Sequence, residues 1–269
     1  MDAIRDSDPF QKVGNLFPDE IEALSIAPQS LVREALRIML ERRYSQLPIV
    51  ENEKVIGVFS FWSLARVMVT TPEVSVHDLP VEDVMEHLPS VTVQDSLHGV
   101  LSLLERHEAL LVASQHGLQA IATPMDVLKY FYGLARPFVL LGEIELSLRS
   151  VIQSCAPGEQ LGQCIERSIA QKYRADRRPV PSSLADMTFE DYRSIITSSD
   201  NWPLFEGTLG RSKELIKSKL EKIRNIRNGV FHFRKDISVM EHENLAATRD
   251  WLLDKARRAE SAKGASNDR

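Results

Sequence analysis

An internal repeat in the first half of the sequence constrains the fold more than any other feature of the chain. The segment at residues 24–31 resembles the segment at residues 90–97, and an amphipathic stretch follows each of them. Each stretch leads to two short apolar segments separated by a polar turn, and Ser60 and Thr123 stand at equivalent places about 63 residues apart. A repeat that alternates strands and helices at this period predicts two copies of one α/β unit that share a core.

The order of elements within each copy carries a family resemblance. The first copy contains Leu-Pro-Ile-Val at residues 47–50, and in both copies a Ser or Thr ends the last apolar segment just before a helix. This order resembles the CBS repeat over roughly residues 10–132. The resemblance implies an α/β fold of paired CBS repeats, a regulatory nucleotide-binding module at residues 1–132. It also implies that an adenine nucleotide (AMP, ADP or ATP) binds as a regulatory ligand in the cleft between the copies.

Thr123 and Asp126 are the residues of the second copy with the clearest ligand chemistry. Thr123 ends a predicted strand and Asp126 lies in the first turn of the next helix, so both side chains are expected to face the crevice at the strand end. A carboxylate accepts hydrogen bonds from ribose hydroxyls, and a threonine hydroxyl together with helix N-terminal amides binds phosphate. The alternative is that Thr123 only caps the helix and Asp126 only favours its dipole.

The first copy departs from this pattern, because Ser63 stands where the family has aspartate. A hydroxyl binds a ribose diol less well than a carboxylate, so one good nucleotide site is expected, the one that contains Asp126. The predicted nucleotide-binding residues are Thr123, Asp126, Thr92, Leu111, Ser60 and Ser63.

The second half of the sequence has helical periodicity. Apolar residues recur at helical spacing up to Pro157-Gly158, where the first long helix is expected to end. Further helical stretches follow, and together they predict an all-α bundle of four or five helices at residues 133–258. Residues 259–269 are small and polar, which predicts a disordered tail.

A basic segment lies within this helical half. Between Thr208 and Lys235 the sequence has nine basic residues and two acidic ones, although the whole chain has a net charge of −5. Such a local excess is typical of a phosphate-binding surface, and equally of a solvated helix face beside an acidic neighbour. Charge alone leaves both interpretations open.

Three residues of the basic segment form a candidate catalytic motif: Arg227, Asn228 and His232. Gly229 eases a bend, so the guanidinium and the imidazole are expected to converge near the end of a helix. Histidine titrates near neutrality and transfers protons, while arginine stays charged and binds phosphate in the transition state. RNA supplies its own nucleophile, the 2′-hydroxyl, so the pair suits RNA cleavage, and no metal site is predicted.

This motif resembles the Arg-Asn-x-x-x-His motif of the HEPN superfamily, over roughly residues 134–258. The resemblance implies a HEPN-like bundle in which two protomers form one composite cleft. It also implies a metal-independent endoribonuclease activity that leaves a 2′,3′-cyclic phosphate. By position, Arg227 would stabilise the phosphate, His232 would act as acid or base, and Asn228 would orient one of them. The predicted RNA-binding residues are Arg224, Lys217, Lys222 and Arg234.

Three alternatives to catalysis stay open at the level of sequence, one of which is a helical domain unrelated to the HEPN superfamily. An Arg–Asn–His set can simply tie a helix end into a bundle. A HEPN-like fold can also serve as a non-catalytic, nucleotide-responsive module that binds RNA or a protein partner. His232 distinguishes the two functions, because a binding module needs the positive charges whereas a nuclease also needs the histidine.

Composition excludes several other classes of protein. Hydrophobic residues make up 43% and charged residues 26% of the 269 residues, which is usual for a globular protein of two domains. The sequence has no run of about 18 apolar residues and no secretory signal at its polar N-terminus, so no membrane association is predicted. Cys155 and Cys164 lack metal-ligand spacing. We therefore expect a cytoplasmic protein that requires no cofactor. The composite cleft that the HEPN resemblance implies predicts a homodimer.

Overall fold

The structure, a computed structural model, describes residues 12–17, 23–115, 117–232 and 237–267, with side chains described through residue 261. The chain divides into two compact units, Met1–Tyr132 and Gly133–Arg269. Within these described ranges, no helix is both long and apolar enough to cross a membrane.

The first copy of the repeat is a helix, a β-hairpin and a second helix. Its elements are α1 (Val32–Arg42), β1 (Gln46–Glu51), β2 (Lys54–Ser60) and α2 (Phe61–Thr70). The two strands pair antiparallel. Asn52 and Glu53 connect them with positive φ angles of 47° and 64°, as the two-residue turn of a right-twisted hairpin requires.

The second copy has the same order of elements. They are β3 (Ser90–Thr92), α3 (Leu97–Leu104), β4 (Leu110–Ser114), β5 (Gly117–Ala122) and α4 (Pro124–Cys155). Strand β3 pairs parallel with β4, and β4 pairs antiparallel with β5. In the first copy Ile26 makes the matching parallel bridge to Ile49. The shared order and pairing are those of a duplicated α/β unit.

Each copy buries its own apolar side chains. Met39 and Phe59 are fully buried in the first copy, and Leu110 and Val112 are fully buried in the second. Full burial of one such side chain stabilises a fold by about 1.5–3 kcal/mol. The strand ends that precede α2 and α4 are therefore held in place by packing on both hairpins.

The second unit is helical. It contains the later part of α4, followed by α5 (Glu159–Ser168), α6 (Ala170–Ala175), α7 (Phe189–Thr197), α8 (Trp202–Leu209), α9 (Lys213–Phe231) and α10 (Val239–Asn267). The sequence predicts four or five helices, whereas the described residues of this unit form seven α-helices. The difference is due to the short helices α6 and α8. Helix α8 begins at Trp202-Pro203, where the fixed φ of proline favours a first helical turn.

One hydrophobic core joins the helices of this unit. Ile144 and Leu148 of α4, Tyr192 of α7 and Leu220 of α9 belong to it and are almost completely buried. Helix α10 continues through residues 259–267, which composition predicts to be a disordered tail. Alanine and glutamate at positions 259 and 260 have high helix propensity, so the helix does not stop at residue 258.

Candidate functional site

A cavity of about 490 Å³ lies in the first unit. Thr123, which directly precedes α4, lines it together with Asp126 and Lys129 of α4. Arg43 and Tyr44 line it from the segment that follows α1. The apolar part of the wall includes Leu24, Pro48, Ile121 and Met125. The volume lies within the range of small-molecule sites, and residues of both copies of the repeat contribute to the wall.

Thr123 and Asp126 cap the N-terminus of α4. Oδ2 of Asp126 accepts hydrogen bonds from the backbone N–H of Thr123 at 2.9 Å and from its hydroxyl at 2.6 Å. Of the residues that the structure describes, none donates a hydrogen bond to the other oxygen, Oδ1. Helix capping and ligand contact are therefore compatible, because they can use different oxygens of one carboxylate.

Four of the six predicted nucleotide-binding residues do not line this cavity: Ser60, Ser63, Thr92 and Leu111. Ser60 and Ser63 are buried and form a capping box, in which each backbone N–H donates to the other hydroxyl, at 3.0 Å and 2.9 Å. The Ser60 hydroxyl also donates to the carboxylate of Glu86. Thr92 is exposed and Leu111 is half-buried, and both lie outside the cavity wall. Of the six predicted nucleotide-binding residues, the cavity thus brings together Thr123 and Asp126.

Arg227 on α9 forms an ion pair with Glu145 on α4. Nε of Arg227 lies 2.8 Å from Oε1 of Glu145, and the two side chains are 30% and 20% exposed. Cζ of Arg227 also lies 4.8 Å from the ring centroid of Phe231, in a cation–π contact. Partial burial makes this pair stronger than a typical surface salt bridge, and it holds the candidate catalytic arginine in one orientation.

Further contacts support the other carboxylate oxygen of Glu145, Oε2. Arg149, one turn later on α4, lies 4.0 Å from the Glu145 carboxylate, and its Nε donates to the Tyr192 hydroxyl at 2.7 Å. Burial raises the pKa of Tyr192, so the phenol stays protonated and donates to the carbonyl of Leu184 at 2.6 Å. The orientation of Arg227 therefore depends on a chain of contacts that ends in the core.

His232 directly follows α9, and its side chain is exposed. Its backbone N–H donates to the carbonyl of Asn228 at 3.3 Å, so the helical turn extends to the histidine. Asn228 is half-buried. Among the described residues, the side chains of Arg227, Asn228 and His232 make no hydrogen bond to one another. The structure thus places the motif at one helix end without joining its members directly.

Arg224 is paired with acidic side chains. It forms an ion pair with Glu221 and lies 3.6 Å from Glu190, and Arg193 contacts the same two carboxylates. The hydrogen bond from Arg193 holds the pKa of Glu190 below its usual value. These four side chains neutralise one another, so Arg224 contributes less free positive charge than the sequence suggests.

The other predicted RNA-binding residues differ in their surroundings. Lys217 and Lys222 are exposed, and neither makes an ion pair within the described ranges. Lys219 lies between them in sequence and packs 5.1 Å from the ring centroid of Trp251. Arg234 lies outside the described residues. In the part of the chain that is described, no group of three or more His, Cys, Asp or Glu side chains is arranged to hold a metal ion.

Several site residues were missed by sequence reasoning. The pairing of Glu145 with Arg227 joins residues 82 positions apart, and no local pattern signals such a contact. Arg43 and Tyr44 reach the cavity because Arg43 adopts a left-handed conformation, φ 57°, that ends α1. Lys129 follows Asp126 by one helical turn, so the spacing alone could have placed it near the same site.

Comparison with known families identifies part of the first unit. Residues 19–70 match the model of the CBS domain family. This range ends with α2, so it covers the first copy of the repeat. The prediction of a CBS domain in this region is confirmed. The comparison with curated proteins found no significant match.

Several solved structures are also similar to parts of the chain. An uncharacterised conserved protein from Pyrococcus horikoshii is 25% identical, and the likeness covers 45% of this chain and 92% of that chain, with a TM-score of 0.40. CBSX2 in complex with AMP is 21% identical over 40% of this chain and 85% of that chain, with a TM-score of 0.35. The CBS domain pair of MJ0100, in complex with 5′-methylthioadenosine and S-adenosyl-L-methionine, is 17% identical. That likeness covers 46% of this chain and 98% of that chain, with a TM-score of 0.40.

Proposed function

We propose that the cavity of the first unit binds an adenine nucleotide as a regulatory ligand. The observation that carries this proposal is Asp126, which lies in the cavity wall with Oδ1 unengaged by the described residues. That oxygen is suited to accept hydrogen bonds from the two ribose hydroxyls, because bonds to a charged acceptor are strong. Arg43 and Lys129 supply positive charge for phosphate, and Tyr44 supplies an aromatic ring for the base.

Calorimetric titration of the full chain with AMP, ADP and ATP tests this proposal. We expect saturable binding of at least one of the three nucleotides. The two cavity cations lead us to expect that affinity depends on the number of phosphates and weakens as salt rises. Absence of binding by all three nucleotides contradicts the proposal.

For the second unit we propose a metal-independent endoribonuclease of HEPN type that works as a homodimer and responds to the nucleotide. Support comes from the location of Arg227, Asn228 and His232 at the C-terminal end of α9, with the arginine held by Glu145 and the histidine exposed to solvent. Glu145 contacts Nε of Arg227, which leaves the two terminal nitrogens of the guanidinium for a phosphate.

The proposed reaction needs no reagent beyond the RNA. The 2′-hydroxyl oxygen attacks the adjacent phosphorus, the bond from phosphorus to the 5′-oxygen breaks, and a 2′,3′-cyclic phosphate forms. One proton leaves the 2′-hydroxyl and one is added to the departing 5′-oxygen. His232 transfers one of these protons, Arg227 stabilises the charge on the phosphate, and Asn228 orients one of the two side chains. Lys217 and Lys222 bind the RNA backbone.

Incubation of the purified full chain with single-stranded RNA in the presence of a chelator, with and without each adenine nucleotide, tests the second proposal. We expect cleavage with chelator present and a change in rate when nucleotide is added. Cleavage whose rate is the same at every nucleotide concentration would contradict regulation and leave the nuclease proposal intact.

A second candidate function is favoured by the ion pairs of Arg227 and Arg224. Carboxylates engage both guanidinium groups, which reduces the positive charge available to stabilise a phosphate during cleavage. The second unit is therefore also suited to be a non-catalytic module that binds RNA or a protein partner in response to nucleotide. RNA binding without cleavage, in the same experiment, supports this candidate.

A further inference from the structure

Within the second unit, helix α4 has an exposed apolar stripe opposite its buried face. Val139 and Leu146 are 57% and 62% exposed, and Ala135 and Gly142 are exposed as well. These four residues are spaced four, three and four positions apart. That is the a/d spacing of a heptad repeat, in which an apolar stripe packs against another helix. Phe138, 38% exposed, widens the stripe and packs against the ring of Phe231 at 5.5 Å.

We infer that this stripe pairs antiparallel with the same stripe of a second copy of the chain. In antiparallel pairing an a residue of one helix packs against a d residue of the other. Val139 then faces Gly142 of the second copy, and Ala135 faces Leu146 of the second copy. Each contact joins a large side chain to a small one, so the two helices approach closely without a clash or a gap.

Charge supports the same register. Arg136 and Glu143 occupy equivalent flanking positions of successive heptads, and both are at least partly exposed. In the antiparallel register Arg136 lies beside Glu143 of the second copy, and the twofold axis repeats this contact, so two opposite-charge pairs form. Parallel pairing would instead place Gly142 against Gly142 of the second copy, which leaves a gap between the helices. It would also place Glu143 beside Phe138 of the second copy, so no ion pair would form there. Arg136 has no ion pair within the described ranges, and Glu143 lies 3.2 Å from Arg249 of its own chain.

This inference deepens the proposed homodimer by naming its contact face. The test measures assembly and not cleavage. The inference about the contact face can therefore fail while RNA cleavage is present, and it can be supported while cleavage is absent. The most selective variant is Gly142→Glu. A Cβ at Gly142 meets no atom within 4 Å in the chain itself, and replacing a helical glycine favours the helix, so the isolated chain stays folded. Gly162→Glu on α5 is the matched control, because a Cβ there also meets nothing within 4 Å.

Sedimentation velocity and light scattering of the full chain at micromolar concentration provide the readout. We expect a dimer for the unaltered protein and for Gly162→Glu, and a monomer for Gly142→Glu. Arg136→Glu and Glu143→Arg are each expected to raise the dimer dissociation constant about tenfold, because each turns two attractions into repulsions. Combining the two reversals restores the pairs and is expected to restore the dimer. A monomeric unaltered protein, a dimeric Gly142→Glu variant, or failure of the double reversal to recover the dimer each overturns the inference.

Discussion

Arg227 and Glu145 form an ion pair that links the end of α9 to α4, with 2.8 Å between Nε and Oε1. The same guanidinium stacks on Phe231, while Glu145 is itself supported by Arg149. One carboxylate thus sets the orientation of the candidate catalytic arginine and neutralises part of its charge. If the second unit binds RNA as proposed, the balance between these two effects decides its affinity for RNA.

The first prediction concerns that carboxylate. Glu145→Gln removes the negative charge but keeps an acceptor for Arg227, so we expect RNA affinity to rise. The slope of log affinity against log salt should steepen by up to about 0.7, the value for one further phosphate contact on a single strand. Fluorescence anisotropy at several salt concentrations measures both quantities. Glu166→Gln, which frees the exposed Arg174 of α6, is the control. Equal affinity in Glu145→Gln and the unaltered protein would show that Arg227 does not contact RNA.

His232 distinguishes a nuclease from a binding module. His232→Ala is expected to slow RNA cleavage by roughly 10²–10⁴-fold, because proton transfer in the transition state contributes about that much. RNA affinity should change little, since binding rests on the cationic side chains. Single-turnover kinetics together with anisotropy separate the two effects. His98→Ala, an exposed histidine of α3, is the control. A fully active His232→Ala variant would leave only the binding-module candidate.

Asp126 should dominate nucleotide affinity. Asp126→Ala is expected to weaken binding by about 1.5–3 kcal/mol, the scale of hydrogen bonds to a charged group. Calorimetry with the nucleotide that binds most tightly measures the difference. Asp95→Ala is a matched control, because Asp95 also accepts a backbone N–H at its own turn, from Thr92, but lies outside the cavity. If both variants bind like the unaltered protein, Asp126 is only a helix cap.

The exposed lysines of α9 should affect binding and not chemistry. Replacing Lys217 and Lys222 with alanine is expected to lower RNA affinity and to flatten the salt slope by about 1.4, which corresponds to two phosphate contacts. The single-turnover rate at saturating RNA should not change. Replacing the exposed lysines Lys54 and Lys172 instead provides the control. A lower saturating rate in the Lys217/Lys222 variant would place these side chains in the catalytic step.

Glu190 should make stability depend on pH. Its pKa is lowered in the folded protein, chiefly by the hydrogen bond from Arg193, so its stabilising effect is present above the ordinary pKa of 4.5. That effect is lost as pH falls through the lowered pKa. Glu190→Gln is therefore expected to reduce the free energy of unfolding near pH 7, with a difference that shrinks in acid. Denaturant unfolding at several pH values measures the difference in free energy of unfolding between the variant and the unaltered protein. Glu206→Gln, at an exposed position, is the control. If the difference in free energy of unfolding stays constant across the acid range, stability is not linked to the ionisation of Glu190.

The repeat was predictable from the sequence because its signals are local. The apolar strands, the turn at Asn52 and Glu53 and the strand ends at Ser60 and Thr123 all depend on neighbouring residues, and the family match confirms a CBS domain at residues 19–70. The HEPN-like character of the second unit, and the roles of its motif, stay predictions.

The contacts between residues far apart in the sequence could not be predicted, because they depend on tertiary packing. Glu145 reaches Arg227 across 82 positions, and Ser60 reaches Glu86 across 26. Arg224 looked like a free cation in the basic segment, yet Glu190, in a different helix, lies 3.6 Å from it. Sequence therefore gives the identity of the charged residues, whereas the fold decides which of them are neutralised.

Analysis of the RNA ends tests the central claim most directly. The purified chain is incubated with a single-stranded RNA and with a DNA strand of the same sequence, both in excess chelator, and the products are identified by mass spectrometry. Attack by the 2′-hydroxyl predicts fragments that end in a 2′,3′-cyclic phosphate, and an intact DNA strand. Cleavage of the DNA, or RNA cleavage that stops with chelator and returns with magnesium, would contradict the proposed function of the second unit.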